Sequence, residues 1–125
     1  MKLLVAEEHS TVLRSALAAK EIWSSSLLAV EAHRAALRLG VDYNEVDLRL
    51  AAVTLVAPSE TSYFSARTVG TPALRTLDAL HLASALELGA DLDGVVTYDR
   101  RLADAFNLVG VEVVAPGLLG RWWVA

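Results

Sequence analysis

The chain has 125 residues, is 54% hydrophobic and has a mean hydropathy of +0.42, enough apolar surface for one domain's core and too much for a disordered chain. Eleven Lys and Arg against fifteen Asp and Glu give a net charge of −4; that is the wrong sign for a broad basic nucleic-acid face, so such a role rests on a local basic rim or on metal ions that reverse an acidic pocket's charge. The absence of cysteine excludes disulfides, thiolate metal sites and a Cys nucleophile, and no apolar run reaches the ~18 residues of a membrane span.

The opening run Leu3 to Ala6 is cut short by Glu7 and Glu8, unlike a signal peptide, so a cytoplasmic location without a membrane partner is expected. No repeat, low-complexity tract or linker interrupts the chain, and a single α/β domain over residues 1–125 is expected. Ser10 to Lys20 reads as a short helix with Ser10 as its cap. Ser24, Ser25 and Ser26 offer N-caps for a second helix that runs to Leu39 and stops at Gly40. Asp42 caps a third, in which Val46, Leu50 and Val53 recur at helical spacing. Thr54 to Ala57 is a β-branched run closed by Pro58, which predicts a buried strand. A helix over Glu60 to Arg67 leads into a loop with Gly70 and Pro72. Leu77 to Leu88 is dense in strong helix formers, ends at Gly89 and is apolar almost all round, which predicts burial on more than one face. A strand over Gly94 to Tyr98, a helix over Asp99 to Leu108 and a strand over Val111 to Val114 follow. Helix, strand, helix, strand, with continuous apolar strands, predicts a parallel sheet with helices on both faces.

Three acids sit on these apolar elements. Asp99 follows a strand and opens a helix, at the sheet edge where α/β folds bind ligands; its ordinary reading is an N-cap, and one carboxylate can cap and also face a metal. Asp78 lies in the first turn of the apolar helix, where the helix dipole is worth ~0.3–1 kcal/mol and Arg75 stands three residues upstream. Glu31 falls within the stripe Leu28, Ala32, Ala35 and Leu39, while Arg34 and Arg38 point elsewhere. No spacing among the three is diagnostic of a metal site. Hard oxygen ligands of this kind select Mg²⁺ or Mn²⁺ over Zn²⁺. His9, His33 and His81 show no metal-ligand pairing, and His81 reads as a packed or hydrogen-bonded helix residue.

Two segments, Arg75-Thr76-Leu77-Asp78-Ala79-Leu80-His81-Leu82-Ala83 and Val95-Val96-Thr97-Tyr98-Asp99-Arg100-Arg101-Leu102, resemble the PIN-domain family, and within it the VapC-type toxins of bacterial toxin–antitoxin pairs. Ala115-Pro116-Gly117 also fits, and Ser24 to Ala32 is similar to the family's Glu-bearing helix. The resemblance implies a PIN-like domain with a central parallel sheet, a carboxylate cluster binding Mg²⁺ or Mn²⁺, endonucleolytic cleavage of RNA, a cognate antitoxin and a homodimer. It carries Glu31, Asp78 and Asp99 over as metal-binding catalytic acids, with Thr97 as the hydroxyl residue supporting the last of them. Arg75, Arg100 and Arg101 are the candidates for RNA phosphate contacts, against the ordinary reading of solvated charge.

One departure stands out. The family's first strand carries a fourth Asp and precedes a segment resembling Lys2 to Glu8, so that strand and its ligand are expected to be missing, through a start site placed too late or a truncated product. Strand neighbours left without it have backbone groups that cost ~1–3 kcal/mol each if buried unpaired. A toxin-like domain that binds an antitoxin without cleaving RNA is therefore the alternative function. A receiver domain, also small and doubly wound, requires a late Lys, whereas the only lysines are Lys2 and Lys20. Trp122 and Trp123 read as a packed tail or an oligomer contact.

Overall fold

The computed structural model describes residues 22–97 and 99–115; the Ser10–Lys20 helix, His9, Tyr98 and the Trp122–Trp123 tail lie outside them. The chain divides into two compact units, with the boundary between Ala57 and Pro58.

In the first unit, strand β1 (Ile22–Ser25) leads through helices α1 (Leu27–Leu39) and α2 (Tyr43–Leu50) to β2 (Val53–Val56). The two strands are parallel, with Ile22 opposite Val53 and Ser25 opposite Val56. β1 corrects the sequence reading, which gave Ser24 to Ser26 to the helix cap alone. Ser26 does precede α1 but makes no side-chain cap bond, and Ser25 Oγ accepts from Leu27 N instead at 3.1 Å. Gly40 ends α1 with φ +72° and donates its N–H to Ala36 O, the left-handed stop that glycine adopts without a Cβ penalty. Asp42 caps α2, its Oδ2 accepting from Asn44 N at 3.0 Å. Asp42→Ala is therefore expected to destabilise the protein by ~1 kcal/mol, measurable in urea, while Asp42→Asn retains the cap and the stability.

Ala32, Ala36 and Val46 form this unit's buried cluster, with Val41 and Leu50 against it. The buried line of α1 is thus Ala32–Ala36, one residue round from the expected stripe: Ala35 is half-buried and Leu39 is 58% exposed. Ala32 and Ala36 cluster with Val46 of α2, and Leu37 and Leu39 are turned outward. His33 joins α1 to α2, its Nε2 lying 2.9 Å from Asp47 Oδ1 and its ring 4.0 Å from that of Tyr43. β2 is mostly exposed, which corrects the expected buried strand. Among the described residues it pairs only with β1, and an apolar run cannot by itself say whether a neighbour covers it.

The second unit runs α3 (Glu60–Ser65), α4 (Thr76–Leu86), a short 3₁₀ turn (Gly89–Asp91), β3 (Val95–Val96), α5 (Arg100–Leu108) and β4 (Val113–Val114). β3, α5 and β4 make a parallel βαβ unit, with Val95 opposite Val113, as the helix–strand alternation predicts. Leu82, Ala105 and Phe106 are its fully buried centre, with Val69, Leu74, Val95, Leu102 and Val113 packed against them. α4 buries Ala79, Leu80, Leu82 and Ala83, a broad arc of about 160° at 100° per residue, whereas Leu77 is 46% exposed. The helix is therefore buried over one wide face rather than all round, and Asp78 stands at the flank of that arc. Among the described residues, no helix is long and apolar enough to cross a membrane.

Candidate active site

Asp99 occupies the turn between β3 and α5. Its Oδ1 accepts from Leu102 N at 3.0 Å and its carbonyl accepts from Ala103 N at 2.9 Å. One carboxylate oxygen is thereby committed to the cap, which leaves the other available. Thr97 fixes this turn from behind, its Oγ1 accepting from Asp99 N at 3.1 Å, a local hydroxyl-to-backbone turn of the kind Thr favours where a strand ends. The cap and the ligand readings of Asp99 are thus compatible in one geometry.

Asp78 is the third residue of α4, following Arg75 at the N-cap. Arg75 makes no side-chain cap bond, which is expected of a guanidinium, since capping needs an acceptor. Its carbonyl accepts from Ala79 N at 2.8 Å. The half-buried Asp78 so lies in the turn where the helix dipole favours negative charge.

The two acids meet in one place. An open hollow of about 280 Å³ is lined by Arg75, Asp78, Asp99, Arg100 and Arg101. Every one of these residues is singled out by the sequence, and the second unit alone supplies all five. Two carboxylates ringed by three guanidinium groups answer the problem set by the acidic net charge: the basic character is local.

Glu31 belongs to the first unit, on α1, where it is half-buried beside the Ala32–Ala36 line. Among the described residues, no group of three or more acidic or histidine side chains is gathered as a metal cage. The donor set of the hollow nonetheless fits a hard divalent cation. Mg²⁺ is commonly held by one or two carboxylates, the remaining positions going to water and phosphate oxygens, and Asp78 with the second oxygen of Asp99 supplies that number. His33 is occupied in the α1–α2 contact and is no part of this site.

A second hollow in the same unit was not foreseen. It measures about 650 Å³ and runs between α3, the loop over residues 66–74 and α4. The sequence predicts a helix over Glu60 to Arg67 and a connecting loop after it, whereas the helix ends at Ser65; the signal available is the mixture of Tyr63, Arg67 and three threonines around it.

The family model described as PIN domain matches residues 1–107. Ribonuclease VapC46 of Mycobacterium tuberculosis (strain ATCC 25618 / H37Rv) is 39% identical over 118 residues, covering 93% of this chain and 91% of that protein. Ribonuclease VapC47 of M. tuberculosis (strain CDC 1551 / Oshkosh) is 34% identical over 123 residues, covering 93% and 90%. Ribonuclease VapC35 of the same strain is 54% identical over a shorter stretch of 48 residues, 37% of this chain and 36% of that protein. No solved structure gives a significant match.

Proposed function

This chain belongs to the PIN-domain family, in its VapC type, and from that premise we propose that it is a divalent-metal-dependent endoribonuclease, a cytoplasmic toxin neutralised by a cognate antitoxin. The observation that carries this reading is the convergence of Asp78 and Asp99, from two separate helix starts, on one hollow ringed by Arg75, Arg100 and Arg101. Relatives named as ribonucleases along nearly their whole length support the same chemistry.

In this reading Asp78 and Asp99 would hold Mg²⁺ or Mn²⁺, and Glu31 is the acid that the family resemblance assigns in the first unit. When bound, the ion lowers the pKa of a water and stabilises the charge on the departing oxygen. The protein's own groups do the positioning. Asp99 is pinned by the Leu102 N–H and by the turn that Thr97 holds, so its second oxygen is presented with little rotational freedom. The three arginines receive the phosphates on either side of the one to be cut, and guanidinium groups match phosphate oxygens bidentately. Metal and arginines together turn a pocket built around acids into one that attracts a polyanion.

The purified chain is expected to cleave single-stranded RNA in Mg²⁺, to stop when EDTA removes the ion and to resume with added Mn²⁺. Cleavage undiminished in EDTA refutes the metal-dependent reading. The alternative is a toxin-like domain that binds its antitoxin without cutting RNA. Antitoxin binding without cleavage in either ion selects it.

A further inference from the structure

The two hollows of the second unit share the first turns of α4. Arg75 and Asp78 line the first, whereas Thr76, Ala79 and Leu80 line the second. Asp78 and Ala79 are consecutive residues on opposite sides of this divide, so a strand whose phosphate enters the first hollow has the second within reach of a neighbouring nucleotide.

The lining of the second hollow is mixed in a particular way. Tyr63 is 52% exposed and presents an aromatic surface. Arg67 is a cation at the rim, its guanidinium held 5.0 Å over the Phe64 ring, which fixes where that charge stands. Thr68, Thr71 and Thr76 bring hydroxyls that can both donate and accept. An amphipathic helix docks on a continuous apolar groove; here polar groups interrupt the apolar wall. An aromatic platform, a cation and several short hydroxyls are what an unstacked nucleotide uses: a π-face, a phosphate partner and hydrogen bonds to base edges.

Gly70 lines this hollow beside the unit's core. Gly70 has φ +76°, and a Cβ there would come within 2.8 Å of Leu74 Cδ2 and 3.4 Å of Leu82 Cδ2. Leu74 and Leu82 in turn belong to the unit's core. At about 650 Å³ it lies within the ~300–1,000 Å³ typical of small-ligand sites.

We propose that this second hollow is a nucleobase subsite, which takes the base next to the cut phosphate of a single-stranded RNA and so sets sequence preference at that position. Tyr63 stacks on the base, Arg67 binds the following phosphate, and the threonine hydroxyls read the base edge. The subsite rests on the nuclease reading for its position in the reaction, and its occupancy by RNA is testable without cleavage.

Two measurements decide it. With a randomised single-stranded RNA pool in Mg²⁺, Tyr63→Ala and Arg67→Ala are each expected to raise KM about tenfold, within the range that losing one base stack covers, with kcat little changed. Base preference beside the cut should relax in Tyr63→Ala, and Tyr63→Phe should restore it, since stacking needs the ring and not the hydroxyl. If the parent cleaves RNA and Tyr63→Ala matches it in KM and in preference, the subsite is refuted and the nuclease reading stands. If the parent cleaves nothing, the nuclease reading fails, and photocrosslinking with 4-thiouridine RNA in EDTA decides the subsite by itself. Attachment within residues 63–76 upholds it. Attachment elsewhere only, no attachment, or shielding of the hollow by a second copy of the chain or by a bound protein overturns it.

Discussion

Replacing Asp99 by Asn is expected to abolish metal-dependent RNA cleavage while leaving the fold nearly as stable as before. Asn is as good an N-cap as Asp, so its side-chain oxygen can still accept from Leu102 N, the bond that Asp99 Oδ1 makes at 3.0 Å. What disappears is the negative charge and the second carboxylate oxygen. Removing a group that merely supports a metal ligand already costs ~10–100-fold, so loss of a ligand itself should cost roughly 100-fold or more. Asp99→Ala provides the contrast, since it should lose the activity and also ~1 kcal/mol of stability with the cap. Asp78→Asn should likewise abolish cleavage. The measurement is RNA cleavage in Mg²⁺ beside urea unfolding of the same preparations. Full cleavage by Asp99→Asn or Asp78→Asn removes these residues from the site.

Leu82→Ala carries the largest expected effect on stability. Leu82 is fully buried at the centre of the second unit, between Ala105 and Phe106 of α5 and a shell that includes Leu74 and Val95. Truncating such a leucine removes its transfer free energy and leaves a cavity that neighbours fill only in part, at a cost of ~2–5 kcal/mol. That is a substantial share of the ~5–15 kcal/mol by which a domain of this kind is stable. Thermal unfolding should fall by about 10 °C or more, at several degrees per kcal/mol. Leu37→Ala is the control: Leu37 is 73% exposed, and a surface change of that kind stays within about 0.5 kcal/mol. Equal losses from the two substitutions would show that Leu82 is not the centre of this core. Because Leu82 also backs Gly70, its truncation should loosen the floor of the second hollow as well.

Local features of this protein were legible residue by residue. Asp42 and Asp99 are both caps, as a short acceptor side chain before a helix predicts, and α4 begins and ends within two residues of its strong formers. The parallel βαβ arrangement of the second half follows from short apolar strands alternating with helices. The acids Asp78 and Asp99 were legible as out-of-place charges, each with an ordinary explanation, and family resemblance linked them before any geometry did. β1 was not legible, because Trp23, Ser24 and Ser25 have no strand pattern of their own. Ile22 to Ser25 become a strand only by pairing with Val53 to Val56, a partner far along the chain.

Burial was misjudged for the same reason. Most of β2 and the leucines Leu37 and Leu39 of α1 are exposed, while the alanines Ala32 and Ala36 take the buried line. The amino-acid order determined by itself the described helices, the caps at Asp42 and Asp99, the stop at Gly40 and the family, and it marked out the two acids, since each depends on a side chain and its near neighbours. Tertiary structure alone decided that Asp78, Asp99 and three arginines share one hollow, and that Tyr63, Arg67 and the threonines open beside it. Convergence of that kind depends on which distant segments pack together, a long-range choice made by the core around Leu82, Ala105 and Phe106.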